Sequence, residues 1–379
     1  MMSLTVNIAL SCLILLFTSS FEGAIPTAAS KVPAIIVFGD SSVDSGNNNR
    51  ISTVLKSNFR PYGRDFYGGR PTGRFSNGRI PPDFISEKFG LKPYVPAYLD
   101  PSYNVSDFAT GVCFASAGTG FDNATSNVLF IIHRLPFMKH MDFHKSAMQN
   151  VIPLWKQVEY YKYYKETLKS YIGDKKSEYV IREALYIISL GTNDFLENYY
   201  SLSTNTRSRY SLDQYQDFLI DISERFVKQI YHLGARKISL TGLPPMGCLP
   251  LERATNLING HGGGCMNGYN GVALRFNAKL NGLVARMNEE MEGIRVVFSD
   301  PYGVFLQMIR NPSSFGFEVS SVACCATGMF EMGYLCDELN PFTCRDADKY
   351  VFWDSFHPTQ KTSRIIVDNL IQNSLHQFL

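Results

Sequence analysis

Ser41 lies in the segment Phe38-Gly39-Asp40-Ser41, directly after the apolar run Pro33–Phe38. A serine on the turn that follows a strand is presented rigidly. Backbone N–H groups left unpaired at such a turn, or at the helix start behind it, point at any negative charge that develops there. The same placement also suits a serine that only caps a helix. Near the other end, Asp354 precedes His357 by three residues. A carboxylate at that spacing can accept from Nδ1 within one turn, which fixes the tautomer and leaves Nε2 facing a hydroxyl. Alone, an Asp-x-x-His pair is as easily a surface pair. Two further segments end apolar runs. Gly191-Thr192-Asn193-Asp194 offers a side-chain amide to an oxyanion, or an Asn-Asp turn. Ala115-Ser116-Ala117-Gly118-Thr119-Gly120 offers a glycine N–H that a ligand can approach closely, or an ordinary tight turn.

These residues need a frame that gathers them. Pro33–Phe38, Ala184–Leu190, Lys237–Thr241 and Ile294–Phe298 are short apolar runs, with Val112–Ala115 a weaker fifth. Each ends near Gly, Ser or Asp, the pattern of buried parallel strands. Between them, 152–171, 211–233, 267–291 and 359–378 carry helical periodicity, and His357-Pro358 is a start signal for the last. Strand and helix in alternation predict a doubly wound α/β sheet, whose ligands bind beyond the carboxyl ends of the strands. Ser41, Gly118 and Asn193 fall at such ends. The Pro/Gly-rich stretches 60–82 and 242–264 read as long loops within one domain.

The motifs occur together and in order. The chain resembles the plant GDSL esterase/lipase family of SGNH hydrolases over residues 33–375. The resemblance rests on Phe38-Gly-Asp-Ser-x-x-Asp-x-Gly-Asn-Asn-Asn49, Pro61-Tyr-Gly63, Phe114-Ala-Ser-Ala-Gly-Thr-Gly120, Gly191-Thr-Asn-Asp194, Gly242–Pro250 and Tyr350-Val-Phe-Trp-Asp354-Ser-Phe-His-Pro-Thr359. It implies a flavodoxin-like three-layer α/β/α sandwich with a mainly parallel central sheet, Ser41 as nucleophile, His357 as base and Asp354 as its orienting partner. It implies an oxyanion hole from the Ser41 N–H, the Gly118 N–H and the Asn193 side chain, and it implies neither metal nor organic cofactor. The expected reaction is hydrolysis of a carboxylic ester, of an acyl lipid or an acylated cell-wall polymer, through an acyl-enzyme. An acyltransferase would use the same residues, and a catalytically silent binding protein could keep the scaffold. Two positions depart from the family pattern. Cys113 stands where relatives usually carry Asn, and Ala117 where many carry Gly; a loosened glycine loop would follow if that Asn braces it.

Composition bounds the setting. The chain has 379 residues, 45% hydrophobic and 18% charged, with a formal net charge of +2. That is the profile of a globular protein, too near neutral to call for nucleic acid. Residues 1–29 read as a secretory signal peptide: an apolar run from Val6 to Phe17, then small residues. The run is shorter than a membrane span needs, although it lacks a basic n-region, and an uncleaved anchor is the competing reading. The remainder, 30–379, reads as one hydrolase domain, monomeric, without a stable membrane anchor, and extracellular in the apoplast or cell wall. Asn104 and Asn123 head glycosylation sequons that fit this route. Of eight cysteines, Cys12 leaves with the leader. Cys248 and Cys265 flank one Gly-rich loop and are expected to pair; Cys324, Cys325, Cys336 and Cys344 should form two bridges, leaving Cys113 a buried thiol. Adjacent Cys-Cys is a poor match to zinc-ligand spacing. His140 and His144 have metal-site spacing, but Met141 replaces the glutamate a metalloprotease helix requires. Arg60, Arg64, Arg70, Arg74 and Arg79 suggest a loop braced by salt bridges, or else a phosphate site. Tyr160, Tyr161, Tyr163 and Tyr164 suggest a helix packing face, or else a sugar-stacking one.

Overall fold

The computed structural model describes residues 32–128, 150–201 and 204–379. The signal-peptide segment 1–29 and the His140/His144 pair lie outside the described residues. β1 (Ile35–Gly39) is buried at every position, which places it inside a sheet covered on both faces. β2 (Gly111–Cys113) lies on one side of it. On the other follow β3 (Leu185–Ser189), β4 (Lys237–Thr241) and β5 (Arg295–Ser299). The order is β2-β1-β3-β4-β5, and all four pairings are parallel. This is the flavodoxin-like order, with its topological switch point between β1 and β3.

Parallel neighbours need crossovers, which the helices supply. In chain order they are α1 (Pro81–Lys88), α2 (Val105–Phe108), α3 (Leu154–Ile172), α4 (Asp174–Glu183) and α5 (Thr206–Arg209). There follow α6 (Leu212–His232), α7 (Pro250–Ile258), α8 (Asn267–Glu290), α9 (Tyr302–Arg310) and α10 (Gln360–Asn373). Alternate strand residues serve opposite layers. On one face the Phe38 ring meets Tyr161 of α3 and Phe226 of α6 edge-on, and the buried Tyr186 and Tyr161 hydroxyls pair at 2.8 Å. On the other face Ile187, Ser189, Ser239 and Thr241 look toward Ile85 of α1, Phe305 of α9 and Leu370 of α10.

A second, two-stranded parallel sheet, β6 (Val319–Ala323) with β7 (Tyr350–Phe352), lies near the C-terminus. Disulfides Cys324–Cys344 and Cys325–Cys336 clip the segment between these strands, and Cys248–Cys265 closes the other loop. Cys113 is buried and unpaired among the described residues.

All five expected strands form, shifted by at most a few residues. The 242–264 stretch is not wholly loop, because α7 starts there. Pro250 sits at a first-turn position that lacks a helical N–H partner anyway. Leu251 and Ala254, one turn apart, are buried. The pair β6–β7, α1 and α9 carried too little periodicity to be read. Nor does Ser41 open a helix: it stands on a turn, Val43 N–H donating to the Asp40 carbonyl at 3.2 Å.

Candidate active site

The loops after β1, β2 and β3 and the segment after β7 converge at the switch point. Asp40 shapes the first. Its Oδ1 accepts from the Ser42 N–H at 2.9 Å and the Ser42 hydroxyl at 2.7 Å, a side-chain turn that leaves Ser41 at the apex. Ser41 and His357 line the walls of two adjoining spaces. Asp354 and His357 follow β7. His357 Nδ1 is 2.8 Å from Asp354 Oδ1 and 2.9 Å from Oδ2. The same carboxylate accepts from the backbone N–H groups of Phe356 (2.9 Å) and His357 (2.7 Å). A fully buried carboxylate against Nδ1 assigns the proton to that nitrogen. His357 Nε2 is buried and has no hydrogen-bond partner among the described residues. An orphaned polar atom of this kind is costly in a core and calls for an explanation.

Gly118 and Asn193 line the smaller space together with Ser41 and His357. Gly118 has φ +87°, a conformation that favours glycine. Asn193 donates through Nδ2 to the Thr119 carbonyl at 3.0 Å, and an amide NH₂ has a second hydrogen to give. It caps a π-helical turn, Asp194–Tyr199, a feature often found at functional sites. The structure therefore gathers the five expected residues in one place.

Residues of the quoted motifs to which the sequence assigns no role hold this arrangement. Tyr62, fully buried, donates from its hydroxyl to Asp354 Oδ2 at 2.6 Å and accepts from the Gly333 N–H at 2.9 Å. Burial and the adjacent carboxylate hold its phenol well above the ordinary range, so it stays a donor. Asp44 accepts from the N–H groups of Gly46 (2.7 Å), Asn47 (2.8 Å) and, across the cleft, Ala117 (3.1 Å). Asn47 Nδ2 donates to the carbonyls of Cys113 (2.9 Å) and Ala115 (2.8 Å), and Asn48 Nδ2 to that of Ala117 (3.1 Å). Asp194 accepts from the Phe121 and Asp122 N–H groups and from Thr125 Oγ1, which ties the β3 loop to the glycine loop. A Cβ at Gly120 would stand 2.2 Å from its Oδ1, so only glycine admits that approach. Asp44 and Asp194 belong to quoted motifs, but nothing in their spacing announced these partners. Burial pushes their carboxyls up to about 6 and about 7.

Two weaker expectations also resolve. Arg74 forms a buried, two-pronged pair with Asp83 at 2.8 and 2.9 Å, and Arg64 and Arg79 pair with Asp65 and Glu87. Tyr161 and Tyr164 are buried while Tyr163 is exposed, a packing face with one open edge. Among the described residues no cluster of His, Cys, Asp or Glu could hold a metal ion, and no helix is long and apolar enough to cross a membrane.

The profile of the family described as GDSL-like Lipase/Acylhydrolase matches residues 35–370. The chain belongs to this family. Arabidopsis thaliana proteins named GDSL esterase/lipase are 59% identical over 93% of this chain and 94% of their own length, 57% over 96% and 97%, and 55% over 97% and 97%. With identity at this level across nearly the whole length, the chain is a hydrolase of carboxylic esters, and its parallel sheet of five strands flanked by helices agrees with the SGNH fold.

Proposed function

We propose that this GDSL hydrolase is a secreted serine esterase that works through an acyl-enzyme on Ser41. The observation that carries the reading is His357: Asp354 orients its ring, and its buried Nε2, without a hydrogen-bond partner among the described residues, lies on the cavity that Ser41 lines. Nε2 accepts the Ser41 proton as Oγ forms a bond to the ester carbonyl carbon. The carbonyl oxygen takes up the negative charge and is met by the Ser41 and Gly118 N–H groups and the Asn193 amide. The bond to the alcohol then breaks, and His357 returns the proton to the departing oxygen. Water repeats the sequence, its proton passing through Nε2 as it attacks the acyl carbon, and the acid leaves.

Residues 1–29 act as the leader, and 30–379 are the exported hydrolase domain. The three disulfides suit an oxidising compartment, and both sequon asparagines, Asn104 and Asn123, are exposed. The test is hydrolysis of p-nitrophenyl esters by protein collected from the culture medium, beside its Ser41→Ala variant. The expected loss is on the order of 10⁵–10⁶ in kcat, with phosphonate labelling of Ser41 abolished and an N-glycosidase mass shift in both proteins. A variant that kept wild-type turnover would sink the mechanism.

A further inference from the structure

The larger of the two spaces beside Ser41 runs away from the mouth, under the sheet. It holds about 980 Å³ free of protein atoms, its open mouth included. Its floor is made by Ile187 and Ser189 of β3 and Ser239 and Thr241 of β4, and its sides by Ile85, Phe305, Ile366 and Leu370. On the opposite face of the same strands stand Tyr186, Ile188, Ile238 and Leu240, all buried. The strands thus carry large residues toward α3 and α6 and mainly small ones toward α1, α9 and α10. Protein interiors close such gaps unless something else fills them.

Two of the three hydroxyls on the floor, those of Ser189 and Ser239, are paired within the protein, and the third, that of Thr241, stands at the rim near Ser41. Ser42 and Ser189 pair with each other at 2.9 Å, Ser239 with Ser299 at 2.8 Å, and Ser299 with Ser374 at 3.1 Å. The ionisable groups on the wall, Asp40 and His357, sit beside Ser41. An occupant must therefore be apolar along its length and carry its reactive group at the Ser41 end. From Ser189 and Thr241 at the rim to Ile187 and Ser239 the floor descends roughly 7 Å, two residues of strand, room for a chain of several methylenes. The acyl group stays on Ser41 while alcohol leaves and water enters, so the enclosed side suits the group that remains.

We infer that this cavity is the acyl site and that the substrates are esters of unbranched acyl chains of medium or greater length, not acetyl esters. The inference rests on Ser41 being the nucleophile. Its test uses two ester series on the wild-type enzyme. In one, p-nitrophenol is constant and the acid runs from acetate through butyrate and hexanoate to octanoate. In the other, acetate is constant and the alcohol lengthens. kcat/KM is expected to rise roughly threefold to fourfold per buried methylene in the first series and to stay flat in the second. Ser239→Leu and Ile366→Phe, which fill the cavity from the sheet and from α10, should each lower the octanoate-to-acetate ratio at least tenfold, and one folded variant suffices. A flat acid series, or a rise confined to the alcohol series, overturns the inference while Ser41 still labels with phosphonate. Absence of both label and turnover would instead strike the serine mechanism itself.

Discussion

Replacing Asp40 with asparagine should make the protein more stable at neutral pH. Asp40 is buried beside Ser41, and burial pushes its carboxyl up from the ordinary 3.8 to about 6, against the lowering pull of the two Ser42 hydrogen bonds and the nearby His357. Between those two values the folded chain holds a proton that the unfolded chain has released. Folding is therefore favoured by acid across that window, and the advantage is lost as pH rises through about 6. A displacement of about 2 units at about 1.4 kcal/mol each amounts to roughly 3 kcal/mol at pH 7. The substituted side chain would keep an amide oxygen for the Ser42 N–H and hydroxyl and has no charge to desolvate. Urea unfolding of both proteins at several pH values from about 4 to 7 reads the difference directly, and contributions from Asp44 and Asp194, present in both, cancel. The variant's advantage should grow from near zero at the acid end to roughly 3 kcal/mol at the neutral end. A difference independent of pH, or a variant less stable at pH 7, would refute the reasoning. Turnover of a short ester should move the other way, because the carboxylate attracts the imidazolium that forms on His357; stability given up at a catalytic centre is a common trade.

Tyr62→Phe keeps the ring against Phe59, Phe75 and Trp353 but removes the donor to Asp354 and the acceptor for Gly333. Stability should fall by about 1–3 kcal/mol and kcat by roughly tenfold with KM nearly unchanged, since the loss falls on orientation of the base and not on ester binding; a KM effect without a kcat effect would contradict this role. Asn47→Ala deletes two donated bonds and the one accepted from the Leu99 N–H at 3.0 Å. Chemical denaturation should show a loss of about 3 kcal/mol or more, with kcat lowered more than KM as the Gly118 loop loosens; wild-type kcat in a measurably destabilised variant would show that the loop does not depend on Asn47.

Ser41, Gly118 and Asn193 each stand near the end of an apolar run, and a parallel sheet brings such ends together whatever lies between; their roles came from the family motifs, because each segment alone suited a cap or a turn equally well. Asp354 and His357 stand three residues apart, so the carboxylate can reach Nδ1 within one turn, but that spacing also suits a surface pair and the motif Tyr350–Thr359 around it decided the assignment. Tyr62 stands in the Pro61-Tyr-Gly63 motif, but nothing around it gave it a role. It reaches Asp354 across 292 positions, and its neighbours in sequence, a proline and a glycine, read only as a loop. Gln157 was hidden in the same way. It sits inside α3 among residues chosen for packing, yet it accepts from the Gly39 N–H and donates to the Gly39 carbonyl, both at 3.0 Å. α7 and α9 are short, and a helix of nine residues gives its apolar face too few turns to stand out from a loop.

The glycine loop is held in a way that does not depend on whether residue 113 is Cys or the Asn expected from the family pattern. That loop is fixed through its backbone. Asp44 takes the Ala117 N–H, Asn48 gives to the Ala117 carbonyl, and Asn47 gives to the carbonyls of residues 113 and 115. The carbonyl of residue 113 is the same whether the side chain is Asn or Cys, so the brace does not pass through the side chain that changed. Cys113 instead fills its place as a small apolar group, with Sγ 3.2 Å from the Val43 carbonyl. Burial pushes its thiol up to about 12, which keeps it neutral and unreactive. Ala117 fits for a related reason: its backbone is not among those with positive φ, so a Cβ there costs no strain, whereas Gly118, one residue on, needs the freedom. The Asp44, Asn47 and Asn48 side chains of the 38–49 block therefore hold the loop that supplies Gly118, and substitution at 113 or 117 leaves that support in place.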